Sequence, residues 1–176
     1  MSSSGGTLWL QRTVNLPSQG RGVHLIDKHI TSAIPELSET RVGILHLFVQ
    51  HTSCALSLNE NWDPEVRLDM SDALDRIVPE EGSRVGDRLA KEGSGRANGK
   101  DAEGKKASGA DLYRHSAEGS DDMPAHVKAA LVGASVSVPV TEGRLATGTW
   151  QGLYLMEFRD AKQSRRVVAT LQGERK

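Results

Sequence analysis

Leu8, Leu10, Val14 and Leu16 fall on alternate positions, and the run stops at Pro17 ahead of the turn-rich SQGRG. A period of two predicts a half-buried strand. Residues 23–26 read as a short second strand. Asp27 then caps a helix carrying Ile30, Ala33 and Ile34 until Pro35 interferes. Over 42–50 the alternation sets Leu45, Leu47 and Val49 on one face and Ile44, His46 and Phe48 on the other, so both faces of this strand are expected to be covered. Another strand, 53–58, follows almost at once. Asp63-Pro64 supplies a cap and a first-turn proline, and Val66, Met70, Ala73, Leu74 and Ile77 keep helical spacing as far as Pro79.

The pattern fails between 82 and 110, where 7 of the 18 glycines sit among charges and alanines with no aromatic residue. Such a stretch buries too little apolar surface to offset its ordering entropy, and reads as a flexible surface insertion. Beyond it, Asp122-Met123-Pro124 opens a helix that Gly133 closes, and four strands are expected over 135–140, 145–147, 152–158 and 165–171. Strands and helices mix without strict alternation. The expectation is one α+β domain over 7–176, with a largely antiparallel sheet and a disordered start at 1–6.

Composition narrows the function. Lys and Arg total 22 against 23 Asp and Glu, which leaves no basic excess to hold a nucleic-acid backbone. The apolar runs are far short of the roughly 20 residues that span a bilayer. A lone cysteine, Cys54, closes no internal disulfide, and the opening MSSSGG has no signal-peptide character, so a cytoplasmic protein is expected. Cys54 keeps the register of Leu56 and Leu58 and reads as a packing residue, as does Ser53.

The polar chemistry gathers in three places. His46 and His51 are five apart, so one unbroken strand would point them to opposite faces. His46, flanked by Leu45 and Leu47, reads as a hydrogen-bonded core histidine. His51 lies in the polar break QHTS, where a ligand and a solvated side chain are equally consistent. The densest polar stretch, YRHSAEGSDDMPAH at 113–126, brings His115 and His126 together with Glu118, Asp121 and Asp122. Asp121 and Asp122 are also ordinary helix-capping types. The third cluster, GRLATGTWQG at 143–152, offers Arg144 as a fixed cation among glycines but no P-loop; a tight hairpin with Trp150 in the core explains it equally well.

Together, LHLFVQHTSCALSLNEN at 45–61, DPEVRLDM at 63–70, YRHSAEGSDDMPAH and GRLATGTWQGLYLMEFRD at 143–160 resemble the YjbQ-like family, a group associated with a secondary thiamine-phosphate synthase activity. The likeness runs from Trp9 to Glu174. It departs at 82–110, where the family passes quickly from the helix to the Tyr-x-His block.

The resemblance implies an α+β subunit assembled as a homotrimer. It implies a metal held by His51, His115 and His126, a zinc-like ion on three imidazoles, with magnesium an alternative for a diphosphate substrate. It also implies that Glu118 and Arg144 act in catalysis and that Asn59, Glu60, Asp121, Asp122 and Gln151 line the substrate cleft. The reaction it implies joins an aminopyrimidine methyl diphosphate to a thiazole phosphate and releases pyrophosphate. Two alternatives are a metal-assisted hydrolase in which Glu118 moves a proton, and a non-catalytic trimer that binds a metal or small anion.

Overall fold

The computed structural model describes residues 6–80 and 112–176. The glycine-rich 82–110 and, Gly6 excepted, the stretch 1–6 lie outside the described residues. Among the described residues, eight strands form two antiparallel sheets. In chain order they are β1 (Thr7–Asn15), β2 (Gly22–Leu25), β3 (Thr40–Val49), β4 (Cys54–Glu60), β5 (Ser135–Thr141), β6 (Arg144–Leu145), β7 (Gln151–Glu157) and β8 (Arg166–Arg175). One sheet has the order β1-β8-β3-β5-β6 and the other β2-β7-β4. Among the described residues the helices are α1 (Asp27–Ala33), α2 (Pro64–Ile77) and α3 (Asp122–Val132), with a 3-10 turn at Pro35–Glu39.

The two sheets face each other across the main core, which joins Leu45, Leu47, Val167 and Leu171 of the larger sheet to Leu56, Leu153 and Leu155 of the smaller one. The smaller sheet buries its other face under α2 and α3, where Ala55, Tyr154 and Met156 meet Ala125, Ala129, Met70 and Leu74. β7 is therefore sandwiched from both sides, and its run LYLME is buried throughout, without the alternation of a half-exposed strand. This three-layer domain is the α+β, mainly antiparallel architecture expected from the sequence.

The outer face of the larger sheet differs from expectation. Trp9, Val42, Ile44 and Phe48 are 69%, 47%, 52% and 45% exposed, so only one face of β3 is covered by the described chain. His46 lies on this outer face, where Nδ1 meets Ser137 Oγ at 2.8 Å. It is not a core histidine. Its row also carries Thr170 of β8 and Gln11 of β1, whose amide donates to the Thr170 hydroxyl at 3.0 Å.

Local signals that hold include Asp63, whose carboxylate accepts the Glu65 N–H at 2.9 Å with Pro64 opening α2. Asp27, by contrast, does not cap α1; its Oδ1 accepts the Leu153 N–H at 3.0 Å and ties the helix to β7. Trp150 is 65% exposed and not in the core, because the β6–β7 connection runs over the surface. The β5–β6 hairpin turns through Glu142 and Gly143, with φ of 49° and 80°. Two left-handed residues in succession give the tight turn whose twist matches the strands, and glycine takes the second position without a Cβ clash.

Candidate functional site

Chemistry-bearing residues gather at the two ends of β4. At its N-terminal end, α3 presents Asp122 and His126 four residues apart and hence on one helical face. The segment before α3 brings His115 to the same place. One ligand-type atom from each of His115, Asp122 and His126 fits within 4.8 Å of the others. His115 Nε2 is 2.9 Å from Asp122 Oδ2, and His126 Nε2 is 3.4 Å from Asp122 Oδ1. The Asp122 side chain is 1% exposed and the imidazoles 48% and 31%, so the carboxylate forms the floor and the rings the open rim.

Two details orient this cluster. His126 Nδ1 lies 3.0 Å from the Thr52 carbonyl, which only accepts, so that nitrogen carries the proton. The other ring nitrogen, Nε2, is thereby turned toward the Asp122 carboxylate. Asp122 Oδ2, although buried and close to His115, has no hydrogen-bond partner among the described residues. A buried carboxylate oxygen facing imidazole nitrogen without an aligned proton is the donor arrangement that a cation completes.

Arg159, just beyond β7, braces the floor. Its Nε donates to Asp121 Oδ2 at 2.8 Å, its Nη1 to Asp122 Oδ1, and its Nη2 to the Glu118 carbonyl at 3.0 Å. Asp121 also accepts the Asp160 N–H at 3.0 Å. The Asp121 pKa is lowered: desolvation opposes the shift, but the Asp160 amide and Arg159 outweigh it. Neither aspartate caps α3 with its side chain. The Glu118 side chain is 72% exposed and 3.4 Å from Arg159 Nη1, at the edge of the cluster and outside the close set.

His51 stands beside this group and shares a cavity of about 630 Å³ with His126, but its ring is turned elsewhere. Nε2 accepts the Arg166 N–H at 3.0 Å, and Nδ1 is 3.4 Å from Arg165 Nη1. Burial, then the positive charges of Arg165 and Arg166, push its pKa below the usual imidazole range. The structure thus clusters His115 and His126 with Asp122 in the place where His51 was expected. Behind His51, Arg165 grips Glu157 through two hydrogen bonds of 2.6 and 2.7 Å and reaches Ser53 Oγ at 3.1 Å. Cys54 is buried and its thiol is pushed up to about 12 chiefly by desolvation, which removes it as a nucleophile.

The other expected residues lie at the far end of β4. Arg144 and Gln151 line a cavity of about 1040 Å³ that also includes Asn61, next to Glu60 at the end of the strand. Gln151 Oε1 accepts the Gly148 N–H at 2.8 Å. Asn59 Oδ1 accepts the Glu60 N–H at 2.9 Å, and the Glu60 carbonyl accepts the Tyr154 hydroxyl. The strand runs Cys54–Glu60, and at about 3.3 Å per residue this separates the ends by roughly 20 Å. One chain does not bring Arg144, Gln151, Asn59 or Glu60 to the histidine cluster.

Arg159, Arg165 and Glu157 are the site residues the sequence reading passes over. Their signal was a charge inside the apolar run GLYLMEF, since a carboxylate in a doubly covered strand needs a buried cation.

Fold and site together define a small two-sheet protein with a His/Asp cluster where α3 meets the start of β4. The chain belongs to the family described as UPF0047 protein YjbQ-like, whose model matches residues 12–174. UPF0047 protein YjbQ of Escherichia coli O157:H7 is 40% identical over 167 residues, covering 95% of this chain and all of that protein. UPF0047 protein YugU of Bacillus subtilis is 32% identical over 139 residues, 78% of this chain and 81% of that one. Among solved structures, a YbjQ-like protein of unknown function from Sulfolobus solfataricus has a TM-score of 0.69 at 19% identity, covering 96% of this chain and 100% of that chain. An uncharacterized YjbQ/UPF0047 protein from Clostridium acetobutylicum has a TM-score of 0.60 at 26% identity, covering 92% and 98%. Among the described residues no helix is long and apolar enough to cross a membrane.

Proposed function

We propose that the chain is a metal-dependent enzyme acting on a small phosphorylated molecule, with His115, Asp122 and His126 holding the ion. The observation that carries this reading is the buried Asp122 carboxylate, with His126 against Oδ1 and His115 against Oδ2, an oxygen that has no hydrogen-bond partner among the described residues. Two nitrogens and one carboxylate suit zinc or another transition ion better than magnesium, which prefers an all-oxygen shell. When bound, such an ion acts as a Lewis acid toward a phosphoryl or carbonyl oxygen. Thr52 fixes the His126 ring, Arg159 fixes the Asp122 carboxylate, and exposed Glu118, paired with Arg159 at 3.4 Å, is the carboxylate placed to accept a proton at the rim.

The reaction proposed first is the one the family resemblance suggests: coupling of an aminopyrimidine methyl diphosphate to a thiazole phosphate, with release of pyrophosphate. A second reading, metal-assisted hydrolysis, is favoured by one observation. Arg144, the cation expected on the departing pyrophosphate, sits at the opposite end of β4. The reading includes a cytoplasmic homotrimer, supported by the apolar outer face of the larger sheet. The test is turnover of both reactions by chelator-stripped protein before and after reloading with zinc. Metal-restored activity in either assay supports the reading, and metal-independent activity contradicts it.

A further inference from the structure

α3 is also held by charge on the side turned away from the histidine cluster. Lys128 lies six residues after Asp122 and two after His126, which at about 100° per residue puts it on the far side of the helix, toward α2. Its side chain is 1% exposed, and Nζ donates to Asp75 Oδ1 near the end of α2. The same oxygen accepts Arg21 Nη2 at 2.6 Å. Arg21, immediately before β2, also donates through Nη1 to Asp160 Oδ1 at 2.9 Å and to Glu80. Asp160 returns the contacts to α3, since its N–H donates to Asp121 Oδ2 at 3.0 Å.

Asp121, Asp160, Arg21, Asp75 and Lys128 thus form a closed ring that leaves α3 at the residue beside Asp122 and re-enters it two residues beyond His126. Burial opposes ionisation of Asp75, but Lys128 and Arg21 outweigh it and lower its pKa, so this link of the ring is ionic at neutral pH. A ring that grips α3 on both sides of the Asp122–His126 turn fixes the rotation of the helix, and with it the direction in which that carboxylate and that imidazole point toward His115. We infer that Arg21 and Lys128 are positioning residues for the metal cluster, acting through this ring without touching the ion, a role that rests on the metal reading.

The sign of the effect separates this role from a plain field effect. Removing a positive charge near a cation site strengthens cation binding by Coulomb's law, whereas loosening pre-arranged ligands weakens it. The chelator-stripped full chain is titrated with cobalt(II), followed by visible absorption, for the parent, Arg21→Gln, Lys128→Met and Val140→Ala. Val140 is wholly buried in the main core between the sheets, and its truncation lowers the melting temperature without reaching α3. Arg21→Gln and Lys128→Met should each bind cobalt about tenfold or more weakly, although each deletes a positive charge. Lys128→Met keeps the length of the buried side chain and serves if Arg21→Gln does not fold. Val140→Ala should bind as the parent does. Unchanged or tighter cobalt binding in either folded ring variant, or an equal weakening in Val140→Ala, would overturn the positioning role and leave the metal reading in place. A parent that binds no cobalt would overturn both.

Discussion

Asp122 Oδ2 lies 2.9 Å from His115 Nε2 and yet makes no hydrogen bond with it. The same carboxylate takes Arg159 on its other oxygen, so its position is set by α3 and the segment just beyond β7 and not by the imidazole. Burial of that oxygen without a partner costs about 1–3 kcal/mol, an expense that a bound cation removes. Metal and fold stability should therefore be coupled at this one residue.

Glu157→Gln removes the counter-charge of Arg165, whose side chain is 7% exposed while Glu157 is 0%. A buried cation stripped of its partner costs about 3 kcal/mol or more, whereas an exposed pair would cost under about 1. Urea denaturation should show a loss of that order, with little change for Arg41→Ala, which breaks an exposed pair with Glu174. A Glu157→Gln loss below about 1 kcal/mol would mean that the pair is solvated.

His51 gives a pH dependence with a definite sign. Its folded pKa is lowered by burial and by Arg165 and Arg166, so the unfolded chain takes up the proton first as pH falls. His51 therefore subtracts nothing from stability above about pH 6.5 and destabilises progressively as pH drops from there toward the lowered folded value. Melting curves of chelator-treated protein should show this acid decline reduced in His51→Gln. An identical decline in parent and variant would place the titration elsewhere.

Much of this was legible because it is local or periodic. The alternation of Leu45, Leu47 and Val49 marks a core face, and the Asp63-Pro64 cap marks a helix start. What sequence reading does not reach is which second layer covers a face. Ile44 and Phe48 carry the same alternation as a buried pair, but no element of the described chain packs on them, and His46 goes to the surface with them. The site fares similarly. His115, Asp122 and His126 lie within 12 residues of chain, so their polarity and spacing flag them. His51 looked equivalent in type, but backbone register sets it against the Arg166 N–H. The separation of Arg144 from the histidines follows from strand length along β4, which motif spacing does not encode.

The uncovered face makes a further prediction. Trp9 and Ile44 share a row across the larger sheet through Gln172, with Phe48 four residues along β3 from Ile44. A homotrimer that buries this face should be broken by Ile44→Asp, since a carboxylate enters an apolar interface unpaired. Light scattering should report a trimer for the parent and a monomer or dimer for the variant with unchanged far-ultraviolet circular dichroism. A parent that is monomeric, or a variant that stays trimeric, would remove this interface.

The central claim is that His115, Asp122 and His126 hold a metal ion. Its most direct measurement is metal content by elemental mass spectrometry after stripping, reloading with zinc and desalting, for the parent, Asp122→Asn, His115→Ala, His126→Ala and His51→Ala, each checked for folding by circular dichroism. One retained zinc per chain is expected in the parent, with near-complete loss in the variants at His115, Asp122 and His126 and a weaker effect at His51, whose Nε2 is engaged by Arg166. A parent that retains no zinc, or folded Asp122→Asn and His115→Ala proteins that retain it as the parent does, would show that this cluster holds no metal.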